Sequence, residues 1–376
     1  MRIHQLCARL QFGDAVTGQV LRMHELFTSW GWESHIHATA NDETMAAYNE
    51  GLKAYRGKHM RARDSVLVYH LSVFDPNHRL YSGSRNRRVL IYHNITPPEF
   101  LDAYDSRLAE VCRKGRDLLP QLTGCDLALG DSEYNRLELV EAGFPAEKTG
   151  VLPIIVDTAA LDGEYNRALH AGLSDGKVNL LFVGRMVPNK RVEDLIDLFA
   201  VYRHRVNAFS RLLLVGTTWS LRYNIELDER IRRYGLQGAV SVPGWSWGVS
   251  DEDLRAYYRT ASVFITCSMH EGFCVPLLES MHFKVPILAR ASAAVPYTLG
   301  GAGMTFRSMD LPLLAEATSE LVNNAELRAA LTEKGARRLE DFDPERTAAA
   351  LRTYIERVSL LRADPDGELQ RPCEVS

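Results

Sequence analysis

Short apolar runs alternate with amphipathic segments along most of the chain, and turn residues separate them. In the first half, the apolar runs predict strands at 3–10, 34–39, 65–71, 87–94, 126–131 and 149–156. The segments between these runs predict helices at 17–30, 97–120 and 132–142. Strands that alternate with helices are typical of α/β domains with parallel sheets. The polar segment 157–177 breaks this rhythm and indicates a connection between two domains.

The same alternation resumes after this segment. The predicted strands are 178–184, 211–216, 239–244, 262–268 and 285–290. The predicted helices are 191–205, 220–234, 251–260, 275–283, 310–323, 325–340 and 343–361. We therefore expect two doubly wound, Rossmann-like α/β domains, 1–160 and 175–342, that face a central cleft. We expect the helix 343–361 to pack back on the first domain, and the aperiodic tail 362–376 to be disordered.

The composition narrows the class of protein. Of the 376 residues, 46% are hydrophobic and 24% are charged, as in soluble globular proteins. The formal net charge of −4 gives no indication that nucleic acid is the main partner. Six cysteines without regular spacing indicate reduced thiols. No apolar run reaches the length of a signal or a membrane span, so we expect a cytoplasmic protein.

The first candidate motif lies at the end of a predicted strand, in the sequence FVGRMVPNKR. Gly184 ends the strand, Arg185 follows directly, and Lys190 lies at the start of the next helix. Two cations at such a junction suit a diphosphate, because arginine offers a planar fork and lysine a point charge. The spacing alone also fits two ordinary surface cations.

The second candidate motif is HEGFCVPLLES, between a predicted strand and a predicted helix. Because Val275 opens the helix, the N–H groups from Gly272 to Val275 lack helical partners and can bind an anion. Glu279, about one turn into the helix, can accept hydrogen bonds from vicinal hydroxyls such as those of a ribose. Glu271 lies in the loop, where it can accept from hydroxyls beyond the phosphates.

Together these motifs, Gly184-Arg185…Lys190 and E-G-F-x-x-P-x-x-E, resemble retaining glycosyltransferases of family 4, which have the GT-B fold. The resemblance covers roughly residues 1–360. It implies that Arg185 and Lys190 bind the donor's diphosphate, that Glu279 holds the ribose, and that Glu271 contacts the transferred sugar. It further implies that the backbone of Gly272, Phe273 and Cys274 meets the phosphates and the sugar. Family members often have glycine at position 274, where this chain has cysteine.

The first half of the chain supplies candidates for the opposite wall of the cleft. His93 follows a predicted strand in the sequence YHNITPPEF, and Asn94 and Thr96 come next. The resemblance implies that a histidine here touches the sugar or the acceptor, although a structural histidine at the strand end is the simpler alternative. Gly13 and Asp14 correspond to the glycine-rich donor loop of the family. Since Asp14 replaces a second glycine, we expect it to contact an acceptor hydroxyl.

Three other signals carry less weight. The DED sequence at 251–253 fits a helix cap better than a metal motif, because Ser250 precedes it with capping-box spacing. A zinc set of Cys267, His270, Cys274 and His282 would have to converge from a strand, a loop and a helix, so we expect no metal. The basic cluster at 78–88 is typical of a solvated loop, with anionic lipid or an acceptor pyrophosphate as the alternatives.

Trp219, Trp245 and Trp247 are candidates to stack on the donor's base.

The predicted reaction is transfer of a hexosyl group, mannose or glucose, from a GDP- or UDP-linked sugar to an acceptor hydroxyl with retained configuration. The wider resemblance is to bacterial transferases that build cell-surface polysaccharides. It implies a saccharide or lipid-linked saccharide acceptor, peripheral contact with the inner membrane at its cytoplasmic face, and neither a cofactor nor a metal. The alternatives are a nucleotide-sugar epimerase or hydrolase on the same fold, and a non-catalytic nucleotide-sugar-binding subunit.

Overall fold

The computed structural model describes residues 1–246 and 248–360. The predicted disordered tail, 362–376, and Trp247 lie outside the described residues. The elements of the first half are β1 (Arg2–Leu10), α1 (Ala15–Ser29), β2 (Glu33–Asn41), α2 (Leu52–Ala54), β3 (Ser65–Leu71), α3 (His78–Ser82), β4 (Arg87–Tyr92), α4 (Ser106–Leu118), β5 (Leu127–Gly130), α5 (Glu133–Glu141) and β6 (Thr149–Val151). Short 3₁₀ and π turns connect several of them.

The second half continues the pattern to the last described helix. Its elements are α6 (Arg167–Leu173), β7 (Val178–Val183), α7 (Val192–Val201), β8 (Ser210–Val215), α8 (Leu221–Arg233), β9 (Val240–Ser241), α9 (Asp251–Thr260), β10 (Val263–Thr266), α10 (Val275–His282), β11 (Ile287–Arg290), α11 (Val295–Leu299), β12 (Met304–Phe306), α12 (Leu311–Asn323), α13 (Ala325–Leu339) and α14 (Pro344–Leu360). The α6 helix lies within the segment that was predicted to be a connection.

Each half forms one parallel six-stranded sheet. The strand orders are β2-β1-β3-β4-β5-β6 and β12-β11-β10-β7-β8-β9. All described strand pairs in both sheets are parallel. The order reverses between β1 and β3 in the first sheet and between β7 and β10 in the second. The prediction of two doubly wound, Rossmann-like domains is confirmed.

The hydrophobic core follows the two sheets and includes the last helix. Leu351, Ile355 and Val358 of α14 are buried in the same cluster as residues of the first sheet, such as Val68 and Ile91. Asp343 caps this helix, since its carboxylate accepts from the N–H groups two and three residues later, at 2.9 and 3.0 Å. The chain therefore leaves the first domain, builds the second, and returns to the first.

The five cysteines among the described residues are free and buried. No helix in the described ranges has the length and apolar character that a membrane crossing requires.

Candidate active site

A cavity of about 670 Å³ lies between the two domains, where the carboxyl ends of both sets of strands meet. The predicted site residues on its wall are Gly13, Asp14, His93, Gly184, Lys190, Glu271, Gly272, Phe273, Cys274, Val275 and Glu279. A second cavity of about 510 Å³ adjoins it and is lined by Arg185, Asn94 and Thr96. Lys190 and Glu271 line both, so they stand at the boundary between the two spaces.

The topology explains why these residues meet. Gly184 and Arg185 follow β7, and Glu271 follows β10, which is the neighbour of β7 at the switch point of the second sheet. Gly13 follows β1 at the switch point of the first sheet. In doubly wound sheets the switch point opens a crevice at the carboxyl ends of the strands, and ligands bind there.

Lys190 and Glu271 form an ion pair in the wall of the cavity. The Lys190 Nζ donates to Glu271 Oε1 at 2.5 Å, and the two side chains are only 17% and 9% exposed. Burial lowers the pKa of Lys190, but the charge and hydrogen bond of Glu271 outweigh burial and raise it above its usual value. The ammonium is therefore held charged in the wall of the cavity.

Glu279 is held by a tyrosine that the sequence analysis did not single out. The Tyr258 hydroxyl, at the end of α9, donates to Glu279 Oε2 at 2.6 Å. Burial raises the pKa of Glu279, and this hydrogen bond lowers it in part. Since Glu279 also lines the cavity, one carboxylate oxygen is anchored while the other remains to accept from a ligand.

The first turn of α10 forms the floor of the cavity between the two glutamates. Cys274, the N-cap residue, has the left-handed backbone angles φ 72° and ψ 66°, a conformation that favours glycine. Among the described residues, the N–H groups from Gly272 to Val275 have no hydrogen-bond acceptor. Free N–H groups at a helix N-terminus attract anions, as the sequence predicts.

The two domains approach each other closely at Gly272. A Cβ atom on this residue would lie 2.9 Å from the His93 carbonyl oxygen and 2.9 Å from the Asn94 Cβ. The resemblance implies that the backbone of Gly272 meets the donor's phosphates and sugar. In the structure, the opposite wall of the cleft requires the glycine.

His93 lies in a buried chain of polar side chains. Its Nδ1 is 2.9 Å from Asp131 Oδ2, and its Nε2 is 2.9 Å from His70 Nδ1. His70 Nε2 in turn is 3.0 Å from Gln5 Oε1. Both ring nitrogens of His93 therefore have protein partners, and neither is free to bind a sugar hydroxyl in this arrangement.

The residues predicted to meet the acceptor have local roles as well. Asp14 caps α1 by accepting from the Thr17 N–H at 3.0 Å. The Asn94 amide nitrogen donates to Asn135 Oδ1 and Glu138 Oε2, both at 2.9 Å, while its buried Oδ1 has no partner among the described residues. Arg185 is exposed to solvent in the cleft. Burial lowers its pKa, and the charge of Asp14 partly offsets this.

The rejected metal signals have structural explanations. The Ser250 hydroxyl accepts from the Asp253 N–H at 3.2 Å, which makes it the cap of α9. The His282 Nε2 lies 3.0 Å from Asp162 Oδ1. In the described part of the chain, no group of three or more candidate ligands could hold a metal ion. Trp219 lines the second cavity and Trp245 is exposed.

Sequence reasoning missed Tyr258, His70 and Asp131. Asp131 directly follows β5, so the rule that functional residues follow strands could have found it. His70 sits inside an apolar strand, where a polar side chain signals a buried partner. Tyr258 carried no signal, because its partner Glu279 lies on another helix.

Comparison with known proteins decides the reaction class. Residues 170–338 match the model of the family described as glycosyl transferases group 1. The chain is 26% identical over 313 residues to O-antigen chain mannosyltransferase B of Escherichia coli, covering 78% of this chain and 77% of that protein. It is 29% identical over 215 residues to MMP alpha-(1->4)-mannosyltransferase of Mycolicibacterium hassiacum, covering 56% of this chain and 49% of that protein. This chain is a glycosyltransferase.

The solved structures agree on the fold. The structure of Anabaena Alr3699/HepE in complex with UDP and glucose superposes with a TM-score of 0.75 at 16% identity, covering 95% of this chain and all of that one. The glycosyltransferase therefore has the GT-B fold, and its predicted resemblance to family 4 is confirmed. The predicted reaction class, hexosyl transfer from a nucleotide sugar, is also confirmed. The epimerase, hydrolase and non-catalytic alternatives are set aside.

Proposed function

We propose that this glycosyltransferase transfers mannose from GDP-mannose, with retained configuration, to a hydroxyl of a lipid-linked saccharide. The names of several relatives support mannose. They include the mannosyltransferases above and the GDP-mannose:cellobiosyl-diphosphopolyprenol alpha-mannosyltransferase of Xanthomonas oryzae, 28% identical over 187 residues. Because that match covers 47% of this chain and 42% of that protein, the acceptor stays a proposal. UDP-glucose is the second candidate donor.

The observation that carries the proposal is the Lys190–Glu271 pair beside the free N–H groups of α10. As the bond between sugar and diphosphate breaks, negative charge accumulates on the diphosphate. Arg185, Lys190 and the helix N-terminus stabilise that charge. These groups provide the stabilisation that a metal ion provides in other transferases, so we propose a reaction without a metal or cofactor.

Positive charge develops on the sugar at the same time, and the sugar becomes oxocarbenium-like. In the proposed complex Glu271 accepts hydrogen bonds from sugar hydroxyls, and the diphosphate replaces it as the partner of Lys190. The acceptor hydroxyl attacks from the face that the diphosphate leaves, and the donor phosphate takes its proton. We propose that the segment 157–177 acts as the hinge that opens and closes the cleft around the donor.

A donor screen tests the site. In thermal shift, GDP-mannose should raise the melting temperature of the wild type more than UDP-glucose does. Arg185→Ala and Glu279→Ala should abolish the shift, since they remove a diphosphate contact and the ribose contact. Lys334→Ala, an exposed cation on α13, is the control and should bind as the wild type does. Donor binding that survives both site substitutions would place the donor elsewhere.

We further propose that the protein works at the cytoplasmic face of the inner membrane and contacts it through a basic surface. This basic surface consists of Lys53, Arg56, Lys58, Arg61, Arg63, Arg79 and Arg85, all exposed. None of these side chains forms an ion pair or hydrogen bond with another described residue. These residues come from two segments, 53–63 and 79–85. The two segments lie next to each other, because Asn86, directly after the second segment, donates from Nδ2 to the Ala62 carbonyl at 2.8 Å. Unpaired cations on a chain of net charge −4 suit anionic lipid headgroups.

The position of the basic surface separates two earlier alternatives for the cluster at 78–88. The segment 53–63 precedes β3, and Arg85 lies two residues before the start of β4. Most of the surface thus lies toward the amino ends of the strands, at the edge of the sheet opposite the cavity. That placement favours a lipid surface over the pyrophosphate of a bound acceptor.

Flotation with vesicles tests this contact. The protein should float with phosphatidylcholine vesicles that contain phosphatidylglycerol, and not with phosphatidylcholine alone. Arg56→Glu with Arg61→Glu should weaken binding roughly tenfold or more, since each basic residue near an anionic surface contributes about 1 kcal/mol. Lys148→Glu with Lys334→Glu changes the net charge equally at other exposed positions and should bind as the wild type does. Equal loss of vesicle binding in both double variants would show that net charge alone drives the binding, and it would contradict a contact through the basic surface.

A further inference from the structure

The side chains of Gln5, His70, His93 and Asp131 form a row of hydrogen bonds. The donor in each bond can be deduced by starting from Gln5. The Gln5 amide nitrogen donates to the Val20 carbonyl at 3.1 Å. This orients Gln5 Oε1 toward His70 Nε2, 3.0 Å away. A carbonyl oxygen can only accept, so His70 Nε2 carries a proton.

The next link fixes His93. His70 is completely buried, and burial lowers its pKa well below the usual value, so its ring is neutral. A neutral imidazole with its proton on Nε2 has a bare Nδ1. Because His93 Nε2 lies 2.9 Å from that bare Nδ1, His93 Nε2 must donate.

The last link then needs a proton of its own. With one proton on Nε2, a neutral His93 would present a bare Nδ1 to Asp131 Oδ2 at 2.9 Å. A bare ring nitrogen and a carboxylate oxygen are both acceptors and cannot form a hydrogen bond. One further proton therefore lies between His93 Nδ1 and Asp131 Oδ2. It makes the pair neutral, either as imidazolium with carboxylate or as imidazole with carboxylic acid.

The other oxygen of Asp131 is left without a partner. Asp131 is 3% exposed, and its Oδ1 is buried with no hydrogen bond to a described residue. The residue lines the same cavity as Glu271 and Glu279, on the wall that faces the second domain. An unpaired buried acceptor costs free energy, which a ligand hydroxyl would recover.

We propose that Asp131 is a sugar-binding residue. Its Oδ1 accepts a hydrogen bond from a hydroxyl of the transferred sugar. Its Oδ2 shares the extra proton with His93, and His70 and Gln5 are positioning residues that orient His93. The neutral pair suits a cavity that receives a diphosphate, because an unneutralised buried carboxylate beside it would repel the donor. The inference rests on the proposed function for the identity of the ligand, and not for the proton count.

Two substitutions separate hydrogen bonding from charge. Asp131→Asn keeps the proposed contacts, since its amide nitrogen donates to the bare Nδ1 of a neutral His93 and its oxygen still faces the cavity. Asp131→Leu has similar size and can make neither contact. Asp126→Asn is the matched control, because Asp126 flanks the opposite end of β5, where it accepts from the Arg88 N–H at 2.8 Å.

Calorimetry with GDP-mannose and with GDP isolates the sugar contact. Asp131→Leu should weaken GDP-mannose binding roughly tenfold and leave GDP binding unchanged, while Asp131→Asn and Asp126→Asn bind both as the wild type does. Equal binding of GDP-mannose by the leucine variant and the wild type would overturn the proposal. Equal weakening by asparagine and leucine would also overturn it, because the cavity would then need the carboxylate itself.

A spectroscopic measurement on the wild type tests the proton count directly. In the full-length protein labelled with ¹⁵N-histidine, His70 should be protonated only at Nε2 and His93 should be protonated at Nε2. His70→Gln and His93→Gln assign the signals. A His70 protonated at Nδ1, facing a bare His93 Nε2, would overturn the proton count. A wild type that binds neither GDP-mannose nor GDP would contradict the proposed function and leave this result standing.

Discussion

At the scale of single residues, one oxygen of each glutamate in the site binds a protein side chain, and the other oxygen is left for a ligand. Glu279 Oε2 accepts a hydrogen bond from the Tyr258 hydroxyl, and Glu271 Oε1 accepts one from the Lys190 ammonium. The sequence placed both glutamates beside the cleft, because the spacing of strand, loop and helix fixes where their backbones lie. It could not supply Tyr258, since the partner of this tyrosine, Glu279, lies on another helix.

Tyr258→Phe tests the anchoring of Glu279. Without the hydroxyl, the carboxylate loses a fixed orientation, so the donor KM should rise roughly three- to tenfold, as for the loss of one typical hydrogen bond. The kcat should change little, because the ribose is remote from the reacting bond. Steady-state kinetics with GDP-mannose measure both. Tyr257→Phe removes the hydroxyl of the neighbouring buried tyrosine and is the control; equal KM values in the two variants would contradict this role.

At the scale of elements, the sequence predicted long, strongly patterned helices and strands well and missed short ones. The predicted strand 149–156 ends at Val151, because Pro153 has no N–H to donate. The predicted strand 87–94 ends at Tyr92, and Asn94 has φ 70°. The missed strand β12 has only three residues, too few to show a periodic pattern. Such boundaries depend on tertiary pairing that one segment does not encode.

Cys274 tests the start of α10. A left-handed conformation is hard for a branched side chain and easy for glycine. Cys274→Val should therefore lower the free energy of unfolding by about 2 kcal/mol or more. Cys274→Gly should stay within about 1 kcal/mol of the wild type, because relief of strain offsets the lost side-chain contacts. Urea unfolding measures both, and a valine variant as stable as the wild type would contradict the conformation.

At the scale of the whole molecule, each domain contributes one wall to the cleft. The second domain carries the cations, the two glutamates and the helix N-terminus, while the first carries the buried chain that ends at Asp131. Periodicity predicted the two domains, and the resemblance to a known family predicted which loops meet. The tight approach of Gly272 to His93 could not be predicted, since it arises only when the two domains are docked.

We propose above all that mannosyl transfer at this cleft retains the anomeric configuration of the donor. The most direct measurement is the anomeric configuration of the product, made from GDP-mannose labelled with ¹³C at C1 and a diphosphate-linked saccharide acceptor. The one-bond coupling between C1 and its proton distinguishes the two anomers by NMR. We expect an α-mannoside, the configuration of the donor, and Glu271→Gln should form it far more slowly. A β-mannoside, or free mannose alone, would contradict the account.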